Sequence, residues 1–281
     1  MDGSGTGIGS GMRGVRPPYG WIDAHIHLDL YPEEERASLL EEAFAAGMEA
    51  AVGVSMNLAS SLANRELALR YPGRVLPAYG FHPEQPPPSA EEEEELFRWI
   101  RERHAAGEAF AVGEVGLPYY TRTEAEAAGE PFDEAPHVRL LDRFAALAAE
   151  LDRPLVLHAV YEDAAKALAL VLKHGVRRAH FHWFKGPEGT VRRMIAAGCR
   201  ISVTPDIAYE AEIRALAAAY PLELLMTETD GPWPFEGPYA GSRTTPLMAA
   251  DAVRGIAAAK GLDEKEAAAR LLAGAKAFYG L

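Results

Sequence analysis

Short apolar or β-branched runs recur along the chain, and each is followed by an Ala-, Leu- and Glu-rich stretch of helical character. The runs Trp21–Asp29, Glu49–Met56, Val75–Phe81, Ala109–Leu117, Pro154–Val160, Arg178–Phe184, Cys199–Thr204 and Leu224–Asp230 read as strands. Helices are predicted over Glu33–Ala46, Ala90–Ala105, Ala135–Leu151, Glu162–His174, Pro187–Ala197, Ala249–Lys260 and Asp263–Tyr279. Gly47, Gly107, Gly175 and Gly198 each follow a helical run, as C-terminal caps do.

Eight strands interleaved with helices imply a parallel sheet, and eight is the number that closes a barrel. The pattern therefore predicts an α/β fold, a single (β/α)8 TIM barrel with its active site at the C-terminal ends of the strands. An open doubly wound sheet would ordinarily carry a Gly-rich turn after its first strand, where this chain has His27-Leu-Asp-Leu-Tyr31. Residues 1–18 are set apart as a disordered Gly/Ser-rich tail, and residues 19–281 as the barrel. The glycines of Gly5-Thr-Gly-Ile-Gly9 fall in that tail and make no phosphate loop. Two segments stand out as insertions. Pro86–Glu95 reads as an exposed loop capping the next helix, and Thr121–Pro136, directly after the fourth strand, as a lid over the mouth.

Composition narrows the function. The 281 residues are 48% hydrophobic, enough for a sizeable core, and no run of apolar residues is long enough to cross a membrane. No signal peptide is read at the N-terminus, and the single cysteine, Cys199, fits a reducing cytoplasm. A net charge of −13 repels polyanions at long range, so no stable duplex DNA complex is expected. A small molecule or a short nucleic acid is compatible with that charge; the oligomeric state is not legible.

The chemistry lies where the strands end. Asp23, His25 and His27 recur at a spacing of two on the first strand, which places them on one face. Two imidazoles ending a barrel strand point to metal ligation rather than to core packing. Glu114 stands in the apolar run Ala111-Val-Gly-Glu-Val-Gly-Leu117, where an unpaired carboxylate would be costly to bury. His158 ends the fifth strand. His180 and His182 share a face of the sixth; His182, nearer the C-terminal end, is read as the ligand and His180 as a buried histidine one layer deeper. Asp230 ends the eighth strand, where it can bind metal and accept a proton from attacking water, although an Asp before Gly-Pro can also simply make a turn. Glu228, on the same face, is expected to hydrogen-bond a ligand histidine. No Gly-x-Ser-x-Gly elbow occurs, and Cys199 opens a strand at the inactive end, so nucleophilic catalysis by serine or cysteine has little support.

Taken together, Asp23-Ala-His25-Ile-His27-Leu-Asp29, Gly80-Phe-His82-Pro83, Gly113-Glu114-Val-Gly-Leu117, His158, His182-Trp-Phe-Lys-Gly186 and Glu228-Thr-Asp230-Gly-Pro232 resemble the TatD family of metal-dependent hydrolases, within the amidohydrolase-type barrels. The pieces run in family order, and Ala275–Tyr279 looks like the family's closing helix. The resemblance implies His25, His27, Glu114 and Asp230 around one ion, and Glu114, His158 and His182 around a second. It also implies divalent-metal-dependent hydrolysis of phosphodiesters, including exonucleolytic removal of deoxynucleotides, with Asp230 and Glu114 as the catalytic carboxylates. Two, or up to three, divalent ions are expected; Zn, Mn, Fe, Co, Ni and Mg are not distinguished by this donor set.

Several positions depart from the family pattern. Val160 stands where an arginine is common, Pro118 where an Asp follows Gly-Leu, and Lys185 where a serine is usual. These changes leave the ligand set whole and bear on the substrate. Candidate substrate contacts are Lys185, His82, Arg122 and Arg243; surface solvation is the plain alternative for both arginines, and a turn before Pro83 the alternative for His82. Trp233, Phe235 and Tyr239 would either stack a base or anchor their loop. Two other functions fit the same residues: a metal-dependent amide, lactone or ester hydrolase acting on a small molecule, and a metal- or ligand-binding barrel without turnover.

Overall fold

A computed structural model describes residues 17–281; the tail reading over residues 1–16 lies outside the described residues. In chain order the elements are β1 (Trp21–Ile26), α1 (Glu33–Ala46), β2 (Met48–Val54), α2 (Leu58–Arg70), β3 (Val75–Tyr79) and α3 (Ala90–Ala105). They continue with β4 (Ala111–Gly116), α4 (Tyr119–Ala128), α5 (Ala135–Glu150), β5 (Leu155–His158), α6 (Asp163–His174) and β6 (Ala179–Phe181). Last come α7 (Glu188–Ala196), β7 (Arg200–Val203), α8 (Ala211–Ala219), β8 (Leu225–Thr227), α9 (Ala249–Lys260) and α10 (Glu264–Tyr279). The strands pair in parallel in sequential order from β1 to β8, which is the nearly closed barrel expected.

Local chemistry sets the element ends. Ser89 accepts from the Glu92 amide while Glu92 reaches back to the Ser89 amide, so α3 starts at Ala90 with a complete capping box. Gly175 and Gly261 end α6 and α9 in the left-handed conformation that glycine adopts without steric cost. Strands buried on both faces appear in the sequence as continuous apolar runs. One apolar cluster, including Ile22, Ala24, Val52, Val54 and Val156, lies inside the ring of strands with Phe278 and Tyr279 of α10. A larger cluster packs the outer strand faces against the helices.

Three helices escaped the pattern. α2 and α8 fill stretches left unassigned between strands, and the first half of the expected Thr121–Pro136 lid is helical as α4. Regular pairing also ends earlier than the apolar runs suggest. His27, His182, Glu228 and Asp230 all lie just past the last ladder residue of their strands. There the chain bends into the mouth, keeping single bonds such as Asp230 N to His25 O at 2.9 Å and His182 N to Leu157 O at 3.0 Å.

Candidate metal centre

Simple alternation does not aim the first-strand histidines. Ile22 and Ala24 point into the barrel interior, and β1 then shifts register between Asp23 and Ile26. His25, within that irregular stretch, and His27, just past it, converge on Glu114. β4 shifts likewise between Val112 and Val115, the stretch that presents Glu114. Irregularities of this kind re-aim side chains beside active sites. Asp23, expected on the same face, does not join the cluster. It accepts from Thr229 N at 3.0 Å and Thr229 Oγ1 at 2.6 Å, and so fixes the turn that carries Asp230.

Glu114 stands at the centre, fully buried. Its Oε2 is 3.1 Å from His25 Nε2 and 3.2 Å from His27 Nε2, and the same two nitrogens lie 3.3 and 3.4 Å from Asp230 Oδ1. Its Oε1 is 2.8 Å from His182 Nε2 and 3.1 Å from His158 Nδ1, which are 3.1 Å from each other. One carboxylate thus contacts a different pair of imidazoles through each oxygen, and His25 and His182 also meet around it. His82 Nε2 is a further neighbour, 3.6 Å from Glu114 Oε1.

Several of these atoms have no hydrogen-bond partner although buried: His25 Nε2, Glu114 Oε2 and Asp230 Oδ1 among them. Leaving a buried polar atom unsatisfied costs about 1–3 kcal/mol, more when charged. Atoms that converge at about 3 Å without hydrogen-bond geometry are arranged as donors around a cation are, and imidazole with carboxylate suits a divalent transition ion. The residues present therefore fit a metal. Burial opposes charge on the His27 imidazole, yet the facing carboxylates of Asp230 and Glu114 outweigh it and carry the group up to about 10. His182 and His158 rise for the same reason, against burial, through Glu114. Burial would raise the Glu114 carboxyl, but the neighbouring imidazoles, His182 foremost, with a hydrogen bond from His158, hold it well below its ordinary value. Bound protons on histidine thus balance the carboxylates, and a divalent ion would displace them.

Other predicted residues fall in different places. Burial pushes His82 down to about 3, so it is neutral; its Nδ1 accepts from Glu84 N at 3.2 Å, which leaves the proton on Nε2, facing the cluster. His180 is buried one layer deeper, between Tyr279 Oη at 2.7 Å and Ser202 Oγ at 2.5 Å. Glu228 Oε1 lies 3.7 Å from His182 Nδ1, beyond a hydrogen bond. It accepts instead from Trp183 N at 2.6 Å, and Glu228 Oε2 accepts from Ser202 Oγ at 2.7 Å. Arg122 is not brought to the cluster: Glu126, Glu134, Glu162 and Asp163 surround its guanidinium at 2.9–3.7 Å. Arg243 pairs with Glu35 and lies over the Tyr31 ring. The Lys185 carbonyl accepts from Tyr161 N at 2.6 Å, tying the loop after β5 to the loop after β6. Of the loop aromatics, Phe235 is buried 5.8 Å from the Trp183 ring and Trp233 is exposed.

Two carboxylates at the mouth went unread in the sequence. Glu84 contacts His158 Nε2 at 3.2 Å, and Asp206 accepts from Trp183 Nε1 at 2.7 Å. Each follows a proline just past a strand, in His82-Pro-Glu84 and Thr204-Pro-Asp206, a placement that was the one available signal.

The family profile described as TatD related DNase matches residues 22–280. An uncharacterized metal-dependent hydrolase of Haemophilus influenzae is 38% identical over 92% of this chain and 99% of its own length. A 3'-5' ssDNA/RNA exonuclease TatD of Erwinia amylovora is 26% identical, over 88% of this chain and 95% of its own. Among solved structures, YjjV, a TatD homologue from Escherichia coli, superposes with a TM-score of 0.79 at 26% identity, covering 93% of this chain and 98% of that one. With the barrel, the ligand-like cluster and a profile match over nearly its whole length, the chain belongs to the TatD family of metal-dependent hydrolases.

Proposed function

We propose that the chain hydrolyses phosphodiester bonds of short or single-stranded nucleic acid with two divalent ions. The supporting observation is the Glu114 carboxylate, whose two oxygens each contact a different pair of imidazoles. His25 Nε2, His27 Nε2, Glu114 Oε2 and Asp230 Oδ1 would hold one ion; Glu114 Oε1, His158 Nδ1 and His182 Nε2 would hold the other. Such ions polarise a phosphoryl oxygen and bring the pKa of bound water from 15.7 to roughly 7. The chain's own side chains do the rest. Asp230 takes the proton from the attacking water and passes it toward the leaving oxygen. His82, neutral with its proton on Nε2, donates to a non-bridging phosphate oxygen, and Lys185 adds a cation at the mouth. The net charge of −13 and the pairing of Arg122 and Arg243 with acids favour a short substrate over a long duplex.

The test joins elemental analysis to hydrolysis of bis(p-nitrophenyl) phosphate and single-stranded DNA, before and after chelation. About two ions per chain with chelator-sensitive turnover is expected. Metal without phosphodiester turnover, but with amide or lactone hydrolysis in a parallel panel, would transfer the assignment to a carbonyl substrate.

A further inference from the structure

α4 is a ten-residue helix none of whose residues is buried. A helix that short is marginal in water by itself, so its place depends on what holds its ends. At its N-terminus the holder is Glu84. Tyr120 N donates to Glu84 Oε1 at 2.9 Å, Thr121 N to Oε2 at 2.8 Å, and Thr121 Oγ1 to Oε2 at 2.6 Å. A carboxylate there satisfies free amides and meets the positive end of the helix dipole. A second holder, Arg122, reaches Glu162 at 2.9 Å and Asp163 at 3.1 Å beside the start of α6.

The same Glu84 Oε1 lies 3.2 Å from His158 Nε2. The other nitrogen of that ring, Nδ1, is the one that faces Glu114 and His182. When a histidine binds a metal through one nitrogen, a carboxylate on the other fixes its tautomer and ring orientation. One side chain therefore touches both the seat of α4 and the back of His158.

We propose that Glu84 is a positioning residue that couples the seating of α4 to ion binding at the His158–His182–Glu114 position. The inference rests on the two-ion reading above. With α4 seated, its amides hold the Glu84 carboxylate where it orients His158; with α4 displaced, that carboxylate loses three donors and the imidazole loses a fixed partner. Coupling of this kind is reciprocal, so an ion at His158 must favour the seated helix by the same factor. α4 also carries Tyr120, 49% exposed and with its ring 6.0 Å from that of His158, so contact with substrate at Tyr120 would reach the ion through Glu84.

The experiment titrates Co²⁺ against a competing chelator in the wild type, E84Q, E84A, T121A and R122A, with circular dichroism as a check on folding. Endoprotease Glu-C cleavage within α4, at Glu124 or Glu126, is followed with and without Co²⁺. The wild type should bind two Co²⁺, with the second slowing cleavage. E84A should weaken one of the two by about 10–100-fold and leave the other unchanged. R122A, which touches neither His158 nor Glu84, and T121A, which removes one of the three donors to the Glu84 carboxylate, should weaken the same ion by a smaller factor and lose the protection in proportion. Unchanged Co²⁺ affinities in E84A and E84Q would overturn the proposal. Loss in E84A with no change in R122A or T121A would overturn the coupling. A wild type that binds no Co²⁺ would instead remove the two-ion reading itself, and this inference with it.

Discussion

Asp230 sits at a φ of 49°, a backbone region that Asp and Asn enter far more readily than other side chains. Asp230→Asn should therefore keep the fold and the turn held by Asp23 while removing the proton acceptor and one charged donor. Turnover of bis(p-nitrophenyl) phosphate is expected to fall by about 10²–10⁴-fold with an unchanged circular dichroism spectrum; an active variant would take Asp230 out of the mechanism. At Gly116 a Cβ would lie 1.8 Å from the His158 carbonyl oxygen, so Gly116→Ala forces β4 and β5 apart beside a ligand-like histidine. A loss of about 1–3 kcal/mol in urea unfolding is expected, with weakened metal uptake. Cys199 is buried, and burial pushes its thiol up to about 12 from an ordinary 9.0. A raised value in the folded state means that the thiol's contribution to stability is full below about 9 and is lost as the pH climbs through about 12. Native protein at pH 8 should leave the thiol unreactive to a disulfide reagent, and denaturant should expose one equivalent.

The elements show where pattern reading succeeds and where it stops. Strands buried on both faces and helices such as α5 and α6, with leucines on one side, announce themselves as apolar runs and stripes. α2 does not, because the face it buries holds Ser60, Ser61 and Asn64 beside a single leucine, Leu67. Asn64 donates to the Val54 carbonyl at 2.7 Å and to Ser55 Oγ at 3.0 Å, tying the helix to the end of β2 by polar bonds that no hydrophobic pattern reports. Asn64→Ala should remove both of these buried bonds and cost about 1–3 kcal/mol in chemical denaturation. The ligand-like residues were legible because their types are costly to bury and each lies in the C-terminal half of a strand or just past its end. Glu84 and Asp206 were not, since an acid in a loop carries no periodicity, and its partners His158 and Trp183 lie 74 and 23 positions away.

For the molecule as a whole, the cluster concentrates carboxylates and imidazoles that only bound protons or cations reconcile. Ion binding should therefore stabilise the fold markedly. At a free concentration 100 times the dissociation constant, one ion contributes about 2.7 kcal/mol. For a chain of this size that corresponds to a rise in melting temperature of roughly 5–10 °C, to be read by calorimetry with and without chelator. Equal melting temperatures would mean that the cluster does not bind the ion offered.

β1 and β8 are neighbours without a hydrogen-bonded ladder, joined by bonds such as Thr227 Oγ1 to Ile22 O at 2.8 Å and His27 N to Gly231 O at 2.9 Å. His25 and His27 lie on one side of this seam and Asp230 on the other, so an ion held by all three would be a clasp across the join. It would close a loop of more than two hundred residues, the kind of closure that constrains an unfolded chain most. The histidines leave the ribosome some two hundred residues before Asp230, which follows the last strand of the barrel. The clasp cannot fasten until the final strand has docked, and its ion would be a marker that the barrel is complete.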